Sequence, residues 1–303
     1  MDKQIFWLSS YPKSGNTLLR SILIGLFFTK EGKFSLEMAK NIGQFDITIH
    51  AENNKHLFQE DYKKIGDIRV LYKYLNKLQS KKALGFNQDF IFLKTHSGLF
   101  EINKSPFTSK QNTRGIIYVV RDPRDVCISY SKHSGISINK CIKFMTNDTS
   151  TGYWMESRKK DKIFSDINRP KSLLGSWEKH VLSWTSIDWG IPSLILRFED
   201  LVYEKEKTIN KIINFFEKNY NFKFHDKEKR INNVLLSTSF NKLKMEEEEK
   251  GFAEATKYNK FFSVGQKDQW KKKLNKEQLI KIEEKFGEVM IKFKYNISSL
   301  NKD

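Results

Sequence analysis

The 303-residue chain predicts an α/β fold with a central, mostly parallel sheet flanked by helices. Three observations carry this expectation. Short apolar runs recur at Ile5 to Leu8, Phe90 to Leu93, Gly115 to Val120 and Ser193 to Leu196, each of a length that suits a buried strand. Longer stretches with apolar residues at helical spacing separate them. The polar residues after the runs are of the kinds that bind anions or move protons, and in open α/β sheets ligands bind beyond the carboxyl ends of the strands.

Composition narrows the class. The chain is 39% hydrophobic and 14% aromatic, enough for a core and too apolar for a disordered chain. Its formal net charge is +18, with Lys and Arg spread along the whole length. Most of these side chains read as a solvated surface. The excess suits an anionic cosubstrate, an anionic acceptor or a membrane surface, and nucleic acid stays open as an alternative. Cys127 and Cys141 form no C-x-x-C and no zinc pattern, so no metal is expected. A reducing cytoplasm is the simplest setting for two isolated cysteines. No apolar stretch reaches the length of a membrane span, and the start leaves no room for a signal peptide.

The first run leads into a polar turn, Ser9 to Thr17, and then into the apolar stretch Leu18 to Phe28. Strand, tight loop and buried helix make an anion site, because the first amides of a helix lack intrahelical partners and the dipole adds positive charge. Gly15 permits close backbone approach. Lys13 supplies a full charge, and Ser14, Asn16 and Thr17 supply side-chain donors. The nucleotide-triphosphate motif places Lys after its last Gly, which this loop does not. A capped buried helix is the plainer alternative.

Residues 29–87 read as helical and polar. Asp61 to Ser80 carries Ile65, Ile68, Leu71, Tyr72, Leu75 and Leu78 on one face, and His50 and His56 read as surface or loop histidines. The second run delivers Lys94, Thr95 and His96 at its carboxyl end. The third ends in Arg121, and Asp122 can cap a helix that starts at Pro123 and holds Ser129 two turns in. An Arg fork suits phosphate, although a salt bridge to Asp125 would also account for Arg121. Ser134 to Leu173 reads as an irregular insertion with scattered aromatics and the cluster Arg158-Lys159-Lys160. Trp177, His180 and Trp184 read as the core face of a helix. Leu201 to Tyr220 reads as one amphipathic helix and Glu246 to Glu249 as a solvated helix face. Asn275 with Gln278 resembles a capping box at the start of the last helix.

Taken together, Tyr11-Pro12-Lys13-Ser14-Gly15-Asn16-Thr17, Lys94-Thr95-His96 and the Arg121 to Ser129 element closely resemble the sulfotransferases that use 3′-phosphoadenosine 5′-phosphosulfate (PAPS). The resemblance covers nearly the whole chain. It implies a P-loop-like three-layer sandwich, a single domain over 1–303, and acceptor-binding insertions at 30–88 and 134–173. It implies a 5′-phosphosulfate loop formed by Lys13, Ser14, Gly15, Asn16, Thr17 and Leu18, and a 3′-phosphate element formed by Arg121 and Ser129. It makes His96 the general base, with Lys13, Lys94 and Ser129 completing the catalytic set. Phe198 stands at the family's aromatic near adenine, keeping the ring and losing a hydroxyl. Thr238, Ser239 and Phe240 match the T-S-F segment, and Ser263, Val264 and Gly265 the C-terminal loop. Family members carry Arg-Lys where this chain has Ser263-Val264, and Lys260 or Lys267 can compensate. PAPS is then the cosubstrate and 3′-phosphoadenosine 5′-phosphate (PAP) the product. The expected partner is a small-molecule, carbohydrate or lipid-linked acceptor, with room for peripheral membrane contact and none expected with nucleic acid. The alternatives are a P-loop kinase and a non-enzymatic polyanion binder.

Overall fold

The computed structural model describes residues 3–153, 171–256, 260–262 and 264–298. Four strands form the central parallel sheet, in the order Ile91–Thr95, Ile5–Ser10, Thr113–Val120, Ser193–Arg197. Ile5–Ser10 is buried along its whole length, as its uninterrupted apolar run requires of a strand covered on both faces. It pairs in parallel with Ile91–Thr95, from Ile5 opposite Ile91 to Ser9 opposite Thr95. Parallel neighbours need crossovers, and helices supply them.

The chain passes several times between two compact units. One holds residues up to Tyr11, Gln44–Ile117 and Asn147–Ser193, and its core gathers Trp7, Phe45, Phe107 and Trp184. The other holds Pro12–Gly43, Tyr118–Thr146 and Leu194 onward. Its core includes Ile22 and Leu23 from the first helix, Ile209, Ile212 and Phe216, and Phe286 and Met290 from the last helix.

Most elements follow their local signals. The first helix runs Asn16–Phe27 and Pro123–Ser134 starts at the Asp122 cap, whose carboxylate accepts the Arg124 amide. The last helix, Lys276–Lys292, carries the complete Asn275/Gln278 capping box. Trp177, His180 and Trp184 are buried in the helix Trp177–Thr185, as their spacing predicts.

Five expectations are corrected. The helix expected over Asp61 to Ser80 is a 3₁₀ segment, Gln59–Lys64, followed by Ile68–Leu78, because Asp67 caps a new start by accepting the Arg69 amide. The single helix expected over Leu201 to Tyr220 is two, Phe198–Tyr203 and Lys205–Tyr220, meeting at Glu204. Ser134 to Leu173 is not irregular throughout. Ile138–Thr146 is a helix burying Cys141, Ile142 and Met145, and Thr151–Tyr153 pairs antiparallel with Lys171–Leu173. Trp154 and Arg158 to Lys160 lie outside the described residues. The Glu246 to Glu249 run is not wholly solvated. Glu246 accepts the Leu36 amide and Glu247 accepts the amides of Phe261 and Phe262, so both turn inward. His50 is no loop residue: it lies in the helix Ile47–Asn53, its ring stacks on Phe45, and burial pulls its pKa down to about 4.

Candidate functional site

The second unit builds an anion site from the loop that follows the first strand. Lys13 adopts a left-handed backbone with φ 66° and Gly15 one with φ 100°. A Cβ on Gly15 would stand 2.5 Å from the Phe198 ring, so this position needs glycine for space as well as conformation. The loop then enters the helix Asn16–Phe27, whose first turn holds Asn16 and Thr17, both buried, with Leu18 half-buried. Ser14 is 1% exposed and its Oγ has no hydrogen-bond partner among the described residues. A buried donor left without a partner at a helix start is what a bound anion would satisfy.

Arg121 ties the strand end to this loop. Its Nη1 donates to the Lys13 carbonyl at 3.0 Å and its Nη2 to the Gln266 carbonyl at 3.3 Å. The guanidinium lies 4.1 Å from the centroid of the Phe198 ring. Its Nε has no partner among the described residues. Burial lowers the Arg121 pKa, while the charges of Asp125, Glu199 and Asp122 oppose that shift. Arginine stays charged under any such shift, so a positive group is held inside the unit with its Nε donor to spare.

The Lys13 ammonium sits 3.4 Å from His133 Nδ1 and 4.0 Å from the centroid of the Phe261 ring. Ser129 is half-buried on the same helix as His133, one turn before it. Thr17 donates its hydroxyl to Glu254 at 2.8 Å, and Glu254 also pairs with Arg20, whose remaining donors reach the Ile42 and Ala39 carbonyls. Arg20, His133, Glu254 and Phe261 escaped the reading of the sequence. Arg20 lay inside an apolar stretch, His133 and Glu254 lay outside recognised motifs, and Phe261 lay in the C-terminal loop segment without a role of its own.

The remaining residues of the set fall as follows. Thr238 is buried and spends its hydroxyl on the Val234 carbonyl at 2.7 Å, while its own carbonyl accepts from Lys205 Nζ. Ser239 stands at the N-cap position of the helix Phe240–Lys250 in an extended backbone, without a side-chain capping bond. Gly265, at φ 63°, packs so closely that a Cβ would meet the Phe240 ring at 2.4 Å. Val264 is half-buried beside it, and Ser263 lies outside the described residues. Lys260 pairs with Glu248. Lys267 sits over the Tyr203 ring in a cleft of about 550 Å³ that Arg197, Trp270 and Tyr295 also line.

The first unit positions Lys94 and His96. The strand extends through Thr95, two residues beyond the expected run, so Lys94 is a buried strand residue rather than a strand-end one. His96 follows directly. Its Nδ1 donates to the Ser10 carbonyl at 2.8 Å, which makes Nε2 the acceptor nitrogen. The His96 carbonyl accepts from His180 Nε2 at 3.0 Å. His180 is fully buried and burial drives its pKa down to about 4, so it stays neutral and serves as a donor to that carbonyl.

The chain as a whole has known relatives. The model of the sulfotransferase domain matches residues 3–294. The chain belongs to the sulfotransferase family. Luciferin sulfotransferase of Photinus pyralis is 24% identical over 243 residues, 78% of this chain and 56% of that protein. Sulfotransferase 2A1 of Mus musculus is 31% identical over 127 residues, 42% of this chain and 39% of that protein. The aligned regions thus span about half or less of these curated relatives. A mouse sulfotransferase solved in complex with PAP shares the fold with a TM-score of 0.58 at 20% identity, over 96% of this chain and 84% of that one. Retinol dehydratase, solved with androsterone and inactive cofactor PAP, gives a TM-score of 0.59 at 16% identity, over 99% and 84%.

Proposed function

We propose that this chain is a PAPS-dependent sulfotransferase that passes a sulfuryl group in line to a hydroxyl or amine of its acceptor. The observation that carries the proposal is the bond from Arg121 to the Lys13 carbonyl. It joins the 5′-phosphate loop and the candidate 3′-phosphate arginine into one built site. Two buried donors there, Ser14 Oγ and Arg121 Nε, have no partner among the described residues. Two separate phosphates on one nucleotide are what such a pair of elements suits.

PAPS, when bound, supplies the sulfuryl group and leaves as PAP. Lys13 and the loop amides stabilise the charge that gathers on the departing 5′-phosphate. Arg121 and Ser129 hold the 3′-phosphate, so that binding energy remote from the reacting bond orients it. His96, with Nε2 as acceptor, takes the acceptor's proton, and Lys94 neutralises the sulfonate. Phe198 supports the base end of the nucleotide from beneath Gly15, and Thr238, Ser239, Phe240, Val264 and Gly265 complete that end. Ser263 and Val264 in place of Arg-Lys reduce positive charge near the 3′-phosphate, which puts more of that task on Arg121.

The acceptor is a small molecule, a carbohydrate or a lipid-linked group, recognised by residues 30–88 and 134–173, and the setting is cytoplasmic. No helix among the described residues is long and apolar enough to cross a membrane. The decisive measurement is a thermal-shift comparison of PAP, ATP and adenosine 5′-phosphate, followed by an acceptor screen with PAPS. A selective shift with PAP is expected. Equal shifts with ATP would point to a general nucleotide enzyme instead.

A further inference from the structure

We infer that His133 is a positioning residue for Lys13, an inference that rests on the proposed role of Lys13 at the leaving group. Lys13 is awkwardly placed to hold itself. It sits at φ 66°, and its side chain has four rotatable bonds whose freedom must be removed for the ammonium to meet one phosphate oxygen. Two groups are seen to touch its ammonium. The Phe261 ring lies 4.0 Å from Nζ and offers its π face. His133 Nδ1 lies 3.4 Å from the same nitrogen and offers a lone pair.

The two groups are themselves joined. The His133 and Phe261 rings meet edge to face at 6.4 Å, and the Thr256 hydroxyl donates to the His133 carbonyl at 3.1 Å. One residue of the helix Pro123–Ser134 therefore touches the lysine proposed to be catalytic, its aromatic floor and Thr256. Glu247 in turn holds Phe261 and Phe262 by accepting their amides. The contact with Lys13 needs a neutral imidazole protonated on Nε2, because only then does Nδ1 accept from an ammonium. An aromatic face and an imidazole lone pair orient an ammonium without taking up its positive charge, which the leaving phosphate requires.

The test uses the full chain. In ¹⁵N-histidine spectra the His133 ring should show an unprotonated Nδ1 and a protonated Nε2, and Lys13→Met should shift the Nδ1 resonance. Affinity for adenosine 3′-phosphate, measured by calorimetry, should change less than about twofold in His133→Ala, while PAP affinity should fall, since only PAP carries the 5′-phosphate that the Lys13 ammonium meets. Turnover of PAPS should fall on the order of tenfold or more in the same variant, the cost of a displaced group. His133→Gln, which keeps an acceptor, should recover most of the turnover. A protonated Nδ1, a resonance indifferent to Lys13→Met, or equal losses in His133→Ala and His133→Gln would overturn the inference. The spectra report the pairing whether or not PAPS is turned over. A chain that neither binds PAP nor consumes PAPS would sink the sulfotransferase proposal, and with it the catalytic meaning of the pairing.

Discussion

Arg121 donates to the carbonyl of Lys13 at 3.0 Å, so the residue proposed to read the 3′-phosphate also holds the loop proposed to read the 5′-phosphate. The two tasks separate by ligand. Arg121→Ala should weaken PAP by about tenfold to a hundredfold, the worth of charge-assisted hydrogen bonds. Adenosine 5′-phosphate, lacking the second phosphate, should lose less, through the loosened loop alone. Calorimetry with both ligands decides this, and equal losses would remove Arg121 from the 3′-phosphate.

His96→Ala should reduce transfer by roughly 10²–10⁴-fold, the usual worth of a general base. PAP binding should stay within about twofold, because phosphate contacts dominate it. Single-turnover rates beside PAP titrations give the answer, and retained transfer would take the base role from His96.

Arg124 is the buried charge on which the start of its helix depends. It forms a fork with Asp122, pairs with Glu283, and lies 3.8 Å from the centroid of the Trp270 ring. Burial disfavours its charge, but the bonds to Asp122 and Glu283 outweigh that and raise its pKa. Arg124→Met strands two buried carboxylates and should cost about 3–5 kcal/mol in a denaturant titration. Pairing it with Asp122→Asn and Glu283→Gln should return much of that loss.

His180 sets an acid limit on stability. Its pKa is about 4 in the folded chain, against 6.5 for a free histidine, because burial disfavours the charged ring. Between those values the unfolded chain binds more protons, so stability rises with pH through this window and falls as pH drops from about 6.5 to about 4. The contribution is roughly 3 kcal/mol, at 1.36 kcal/mol per unit. His50, also held at about 4 by burial, acts in the same direction. Denaturant titrations at pH 4.5 and 7.5 should differ less in His180→Gln than in the parent chain. An unchanged difference would show that His180 does not carry it.

The central strands, the strand–loop–helix of the anion site, the Asp122 and Asn275 caps and the core role of His180 were all legible in the sequence. Each depends on neighbours within a few positions, where apolar period, capping chemistry and loop composition act. The family followed from the same local motifs. Tertiary packing decided the rest. Glu246 and Glu247 lie in a run that reads as solvent-facing, yet distant amides at Leu36, Phe261 and Phe262 claim them. Arg20 reads as an intruder in an apolar helix until Glu254 and two carbonyls surround it. His133 carries no motif at all, and only the folded chain brings it to Lys13, 120 positions earlier. A buried polar group must find its partner wherever the fold supplies one, so the sequence determined which residues form the loop, and long-range packing decided what holds its lysine.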